Sequence, residues 1–288
     1  MTERILLRFH KVGVANKANY LVFTDLDGTL LDHDAYTWQP AAPAIQRLIE
    51  ASIPWLFVTS KTRAETEVWR LRTGNRHPFI VENGGAAYIP SGYFPAPVAG
   101  AVRKDGFDVL EWGASYSRLV SELAHAAALS NCHVRGFHDM DAEEVADLCG
   151  LPLDLAVLAK QREYDEPFVV TDMERSKQLV EAIEARGLRC TRGGRFWHIM
   201  GANDKGAAVR VVAGLYQQPG SPRITIGLGD GMNDVAFLKE VAIPVVIQSP
   251  QSEDMLRLVS GARLTEDPGP TGWAEALRKI IPALQVVP

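Results

Sequence analysis

Cysteine is scarce in this chain: Cys132, Cys149 and Cys190 are an odd number at irregular spacing among 288 residues. No CxxC pair and no Cys/His cluster occurs, so neither a disulfide framework nor a zinc site is indicated. Free or buried thiols in a reducing cytoplasm are expected instead. Long apolar runs are also missing, and none reaches the ~18 residues that a membrane span requires. Nor is there a surplus of positive charge. The formal net charge is -5, which leaves no basic face for nucleic acid. Repeats and low-complexity segments are absent. Met1 to Asn19 carries Arg4, Arg8, Lys11 and Lys17, without a sustained apolar stretch or a small-residue cleavage site. It reads as an N-terminal extension rather than a secretory signal. These absences suit a cytoplasmic protein with no membrane and no nucleic-acid partner; a monomer or a homodimer is expected, and nothing in the sequence decides between them. An acidic protein that takes an anionic substrate must concentrate positive charge locally, often with a metal.

What is present is apolar material, 47% of the chain, enough for one large core or two of ordinary size. Tyr20-Leu21-Val22-Phe23-Thr24 is short, β-branched and aromatic, as in a strand buried on both faces. A helical segment follows at 41–52, with Ala42, Ile45, Leu48 and Ile49 in register. A second buried strand, 54–58, runs into Thr59-Ser60-Lys61-Thr62. Helix 63–73 and a third strand, Phe79-Ile80-Val81, end at Glu82-Asn83-Gly84-Gly85. Strand and helix alternate through short loops, so a doubly wound, mostly parallel α/β sheet is expected. The alternation is lost from about residue 86 to 200, where helical stretches (115–130, 141–149, 174–187) mix with strand candidates at 167–171 and 195–200. It returns at Lys205. The spacing predicts a core of residues 20–88 and 200–288, interrupted by an inserted α/β cap of residues 89–199, after an extension of residues 1–19.

Four short elements carry chemistry. The first is Asp25-Leu26-Asp27-Gly28-Thr29, directly after a buried strand. Functional clefts of open α/β sheets lie at the carboxyl ends of strands. Asp25 there can attack phosphorus as a carboxylate nucleophile, Asp27 can act as general acid and base, and Gly28 permits a sharp turn. The second is Gly229-Asp230-Gly231-Met232-Asn233-Asp234, again after a buried strand. Asp25 and Asp230 can share a hard cation, with Asp27 contributing its backbone carbonyl. Mg²⁺ is the cation that all-oxygen ligands suit. Asn233 and Asp234 can be ligands, supports for them, or helix caps. The third is Thr59, whose hydroxyl can hold a phosphate oxygen beside the next helix's N-terminal amides. The fourth is Lys205, placed by Asn203-Asp204 at a helix start, where an ammonium can screen Asp25 from an incoming phosphate.

In this order the four elements resemble the haloacid dehalogenase-like phosphatase superfamily, over residues 20–280. Within it the chain is similar to the mannosyl-3-phosphoglycerate phosphatase family. The likeness rests on residues 22–32, on Thr59-Ser60-Lys61-Thr62 and Glu82-Asn83-Gly84-Gly85, and on two later stretches, Arg162-Glu163-Tyr164-Asp165-Glu166-Pro167-Phe168 and Gly193-Gly194-Arg195-Phe196-Trp197-His198. General sugar phosphatases carry Gly-Arg where this chain has Ser60-Lys61. The resemblance implies Mg²⁺-dependent release of phosphate from 2-O-mannosyl-3-phosphoglycerate, giving mannosylglycerate, a compatible solute. The glucosyl analogue is the near alternative, and sucrose phosphate or a hexose phosphate a further one. It also implies substrate contacts from Thr59, Ser60 and Asn83 of the core and from Arg162, Glu163, Arg195 and His198 of the cap. Arg162 or Arg195 would pair with the glycerate carboxylate. Glu163, Asp165 or His198 would bond sugar hydroxyls, and Trp197 or Tyr164 would cover a sugar face.

Overall fold

Five apolar residues in extended conformation, β1 (Tyr20–Thr24), form the central strand of the molecule. Its side chains alternate between two apolar layers. Val22 packs with Ile45, Leu48 and Trp273 on one face, and Leu21 and Phe23 with Val209, Val212 and Phe237 on the other. A strand covered on both faces needs a near-continuous apolar sequence, which this one has. The computed structural model describes residues 19–33, 35–193, 196–217 and 222–284. Residues 1–18, most of the expected N-terminal extension, lie outside them.

The first βα units are α1 (Ala42–Glu50), β2 (Trp55–Phe57), α2 (Arg63–Thr73) and β3 (Phe79–Val81). Helix α2 starts where Thr62 and Glu65 form a capping box, Thr62 accepting from the Glu65 N–H and Glu65 from the Thr62 N–H; such reciprocal bonds satisfy two orphan donors of the first turn. β4 (Ala86–Pro90), β5 (Val102–Lys104) and β6 (Phe107–Glu111) come next. The cap comprises α3 (Tyr116–Ser130), β7 (Val134–Gly136), α4 (Ala142–Cys149), α5 (Leu153–Ala159), β8 (Asp165–Val170), α6 (Ser176–Glu184), β9 (Arg189–Gly193) and β10 (Phe196–Met200). The chain then returns to the core as α7 (Lys205–Leu215), β11 (Ile224–Gly229), α8 (Val235–Leu238), β12 (Ile243–Val246), α9 (Ser252–Leu258), β13 (Arg263–Leu264) and α10 (Gly269–Ile280).

The core sheet has the order β13-β12-β11-β1-β2, all parallel. The early units build outward from β1 on one side and the late ones on the other. The crevice beyond the carboxyl ends of β1 and β11 is therefore a topological switch point, where ligands of such sheets bind. β3 extends the sheet through a parallel bridge between Val58 and Ile80. β4, β6 and β5 then pair antiparallel in sequence from β3. Residues 89–111, expected in the cap, thus pair with the core. The Pro- and Gly-rich stretch between β4 and β5 broke the alternation on which the expected boundary rested, and strand register is set by partners distant in the chain.

The cap is a four-stranded antiparallel sheet, β7-β8-β10-β9. One face is covered by α3 and α6 through Leu119, Leu123, Leu179, Ile183, Phe168 and Ile199. Helices α4 and α5 form a separate apolar cluster around Val145 and Ala156. Helix α5 also reaches the core: Leu155 joins the cluster of Trp55 and Trp69, and the Thr62 hydroxyl donates to Leu158 O at 3.0 Å.

The last helix is tied to the first strand. Trp273 is fully buried, stands edge-on to Trp55, and donates from Nε1 to Thr24 Oγ1 at 2.9 Å. The Thr24 hydroxyl in turn donates to Asp25 O at 2.7 Å. Trp273→Phe keeps most of the apolar area and removes this donor, so it should cost about 1–2 kcal/mol in urea unfolding. A change within ~0.5 kcal/mol, the range of a neutral surface substitution, would show that the bond carries no net weight.

Candidate active site

Asp25 follows β1, and its N–H donates to Leu228 O of β11 at 2.9 Å. Asp230 follows β11. Between them the chain turns through Gly28, whose φ is +70°. That conformation suits glycine, and space requires it too, because a Cβ at this position would lie 2.3 Å from Asp230 Oδ2. Thr29 fixes the other oxygen of Asp230 with a 2.8 Å hydrogen bond.

Lys205 enters from the opposite side. Asp204 caps α7 by accepting from the Ala207 N–H at 2.8 Å, and this places Lys205 at the first helical position, 1% exposed. Its ammonium donates to Asp25 Oδ1 at 2.7 Å and to Asp234 Oδ1 at 2.6 Å. Burial opposes the charge on Lys205, but Asp234 and Asp25 outweigh it and hold the amine protonated well above its ordinary range. Asp234 Oδ2 accepts from the N–H groups of Asp230 and Gly231 at 3.1 and 3.0 Å. Asp234 is thus an anchor for the Asp230 loop and a partner for Lys205.

Asp27 makes a different contact. Its Oδ1 lies 2.9 Å from Lys61 Nζ, which is also 3.6 Å from Glu65 and stands over the Tyr36 ring. Asp27 and Glu65, helped by Tyr36, hold the Lys61 ammonium above its ordinary range against the opposing effect of burial. Thr59 is buried and accepts from the Lys61 N–H at 3.1 Å.

The carboxylates crowd one another. Burial first, and then Asp234, push Asp25 well above the usual carboxylate range, while Lys205 opposes them. Burial and Asp234 push Asp230 up to about 7. Asp25, Asp230 and Asp234 bring one oxygen each within 4.8 Å of the others. Three carboxylates sharing one ammonium leave excess negative charge, and oxygen donors of this kind suit a hard divalent cation. Asp234 is occupied by Lys205 and two N–H groups, so Asp25 and Asp230 are the ligands with capacity to spare.

The acidic cluster opens into a cavity of about 420 Å³. Asp25, Asp27, Ser60, Asn83, Lys205, Asp230 and Asn233 form its core side, with His33, Met232 and Gln251 at the rim. Arg189, Thr191, Arg192, His198 and Met200 of β9 and β10 form its cap side. The antiparallel register sets Arg189 opposite Met200 and Thr191 opposite His198, so these four share the face turned to Asp25.

Of the residues expected from sequence, Asp25, Asp27, Ser60, Asn83, His198, Lys205, Asp230 and Asn233 line this cavity, and Thr59 lies beneath it. Arg162 and Glu163 do not. Arg162 donates to Ser60 O at 2.8 Å and to Ala159 O at 3.1 Å, bracing the junction of core and cap. Glu163 accepts from Tyr88 and Lys104, at 2.8 Å each. Their placement follows Glu82, which is buried and accepts from the N–H groups of Glu163 and Tyr164. These bonds turn the neighbouring side chains away from the cavity. Tyr164 is buried against the core, with its hydroxyl on Glu111, and Trp197 packs with the cap core under Arg192. Arg195 lies outside the described residues. Sequence reasoning missed Lys61, Arg189, Thr191 and Met200. Pairing the strand of His198 with the segment just before it would have found Thr191 and Arg189.

Residues 22–94 match the family model described as haloacid dehalogenase-like hydrolase. The match falls on the segment that carries Asp25 and Asp27. The chain is 43% identical over 264 residues to the glucosyl-3-phosphoglycerate/mannosyl-3-phosphoglycerate phosphatase of Methanococcoides burtonii, covering 91% of this chain and 97% of the relative. A relative of the same name from Persephonella marina is 36% identical, with the same coverage. A solved structure from Thermoplasma acidophilum shares the fold at a TM-score of 0.67, with 16% identity over 92% of this chain and 99% of that one. The chain therefore belongs to the glucosyl-3-phosphoglycerate/mannosyl-3-phosphoglycerate phosphatase family, and it is a phosphoric monoester hydrolase. Among the described residues no helix is long and apolar enough to cross a membrane.

The raised pKa of Asp230 gives a pH signature. Unfolded, the group ionises near 3.8; folded without a cation, near 7. Between these values the folded state holds a proton that the unfolded state has lost, so stability from this group falls as pH rises from about 4 to about 7, then levels off. In EDTA the Tm should decline over that window more than in an Asp230→Asn variant. Added Mg²⁺ should raise the Tm more at about pH 7.5 than at about pH 5, since it competes with the proton. An equal response at both pH values would remove Asp230 from the cation site.

Proposed function

We propose that the chain hydrolyses 2-O-mannosyl-3-phosphoglycerate and its glucosyl analogue to the glycosylglycerate and inorganic phosphate, with Mg²⁺ and through an aspartyl-phosphate on Asp25. The observation that carries this reading is the cavity that joins the Asp25–Lys205 cluster to the polar face of the cap. A phosphoryl group fits the acidic end only with cationic help, and the far end offers guanidinium, imidazole and hydroxyl groups suited to a carboxylate and a polyol ring. The identity with relatives of that activity, across nine-tenths of the chain, supports the same substrate class.

In the first displacement the Asp25 oxygen not engaged by Lys205 attacks phosphorus in line. Asp27, drawn to the side of the site by Lys61, protonates the departing glycerate oxygen. In the second, Asp27 takes a proton from water as that water attacks the aspartyl-phosphate, which frees Asp25 and phosphate. Lys205 neutralises charge on Asp25 and on the phosphoryl oxygens, where most of the stabilisation in such transfers lies. Ser60 supplies a hydroxyl at the phosphoryl end, and Thr59, buried beneath it, holds that loop by accepting from the Lys61 N–H. Asp25, Asp230 and the carbonyl of Asp27 would hold Mg²⁺, which supplies positive charge to the transferring group. The catalytic core in this reading is residues 20–111 with 201–284, and the cap, residues 114–200, excludes water and orients the sugar.

Asp27→Asn should lose at least ~10³-fold in kcat yet keep the Mg²⁺-induced rise in Tm. Retention of more than a tenth of the activity would remove Asp27 from proton transfer. Phosphate release from a panel tests the substrate. The panel holds mannosyl- and glucosyl-3-phosphoglycerate, free 3-phosphoglycerate, sucrose 6-phosphate and mannose 6-phosphate. A kcat/KM advantage of ~10²-fold for the two glycosyl-phosphoglycerates is expected. A flat profile, or preference for a hexose phosphate, would overturn the substrate and leave the chemistry of Asp25 intact.

A further inference from the structure

His198 enters the cavity from β10 on a fixed mount. Its Nδ1 lies 2.9 Å from Asp165 Oδ1 and 3.2 Å from Oδ2. Asp165 is fully buried and sits behind the cavity wall. Its Oδ2 also accepts from Asn83 Nδ2 at 2.8 Å. Asn83 belongs to the core loop after β3, and its own Oδ1 accepts from Asn233 Nδ2 at 3.3 Å. A continuous line of side chains thus runs from the Asp230 loop, through Asn83 and Asp165, to a ring that faces the ligand space. The backbone at Asn83 has a φ of +55°, and Glu82 before it +46°. Non-glycine residues adopt that region at a cost, and such strain gathers at functional loops.

The protons on this line follow from the donors available. Burial favours a neutral Asp165, while the Arg162 charge and the bond from Asn83 favour the carboxylate, and both carboxylate oxygens are turned to donors, His198 Nδ1 and Asn83 Nδ2. An ionised carboxylate only accepts hydrogen bonds, so Asp165 requires a proton on His198 Nδ1. In the neutral ring Nε2 is then an acceptor. An acceptor turned to the cavity bonds a hydroxyl and repels a carboxylate or phosphate. The guanidinium of Arg189, on the same face, meets the anionic part of a ligand instead.

We infer that Asp165 is a positioning residue that fixes the Nδ1–H tautomer of His198, so that His198 Nε2 accepts a hydrogen bond from a ring hydroxyl of the glycosyl group and discriminates for it. The inference rests on the glycosyl-phosphoglycerate reading above. It divides the cap side of the cavity by chemistry: a hydroxyl-reading position at His198, joined by Thr191 opposite it, and a cationic position at Arg189.

Asp165→Asn tests the mount. The amide introduced by that substitution keeps its carbonyl toward Asn83 and turns its N–H₂ to His198 Nδ1. Nδ1 must then accept, and the proton moves to Nε2. An acceptor becomes a donor without loss of volume. The ring nitrogens of His198 are read by ¹⁵N-edited NMR at about pH 7.5, with His198→Ala identifying the signal. The wild type should show protonation at Nδ1 alone, and Asp165→Asn protonation at Nε2. The kcat/KM ratio of glycosyl-3-phosphoglycerate to free 3-phosphoglycerate should fall roughly tenfold in Asp165→Asn, mainly through KM, and at least as far in His198→Ala. If Asp165→Asn does not fold, as judged by its thermal transition, the His198→Ala ratio and the wild-type ring signal decide alone. A wild-type ring protonated at Nε2 or at both nitrogens overturns the inference, as does an unchanged ratio in His198→Ala. If the wild type prefers hexose phosphates in the panel, the substrate reading fails separately. The ratio is then taken between the best hexose phosphate and p-nitrophenyl phosphate, and the same drop is required.

Discussion

The buried ammonium of Lys205 is the contact on which the rest of this site depends. The parallel sheet brings Asp25 to the end of β1 and Asp230 to the end of β11, one strand apart. Asp234 must also turn inward to anchor the loop that holds Asp230. Three carboxylates in so small a volume repel strongly, because little water remains to screen them. Lys205 lies at hydrogen-bond distance from two of the three. The partial compensation it provides lets the cluster exist in the folded chain and leaves carboxylate oxygens of Asp25 and Asp230 beyond its reach.

The junction between core and cap shows the same physics at a second place. Glu82 is buried after β3 and commits both oxygens to the backbone N–H groups of the returning linker. Arg162 donates across to the Ser60 carbonyl, and Asn83 reaches the buried Asp165. Polar groups out of contact with water must find partners in the protein, and here each partner lies on the opposite unit. The cap is therefore held in register with the Asp27 and Thr59 loops. His198, at the far end of the cavity, is joined by hydrogen bonds through Asp165 and Asn83 to Asn233 of the Asp230 loop.

Legibility in the sequence followed locality. Buried strands of the core announce themselves as continuous apolar runs, and Asp25, Asp27 and Asp230 immediately follow them, so both the fold class and the acidic end of the cavity were readable. Lys205 was readable by its place in the order of the four elements, at a helix start after Asn203-Asp204. The cap was readable only as an insertion. Its strands alternate with polar residues on both faces, and short apolar segments do not say which face meets the ligand. Arg162 and Glu163 carry suitable chemistry in a suggestive stretch, yet Glu82, about eighty residues earlier, turns their side chains elsewhere. Arg189 and Thr191 carry no local mark, and only the pairing of β9 with β10 brings them beside His198.

The sequence by itself determined a doubly wound sheet, its interruption by an inserted unit, and the carboxylates placed at the strand ends. Each of these depends on periodicity or on neighbours a few residues apart. Tertiary structure alone decided that residues 89–111 join the core, that Lys61 holds Asp27, that Asp234 pairs with Lys205, and which face of the cap looks at Asp25. The physical reason is common to all four. A short polar side chain takes its role from the partner that satisfies it, and in this chain those partners come from segments distant in sequence, brought close only when the sheets are formed and packed.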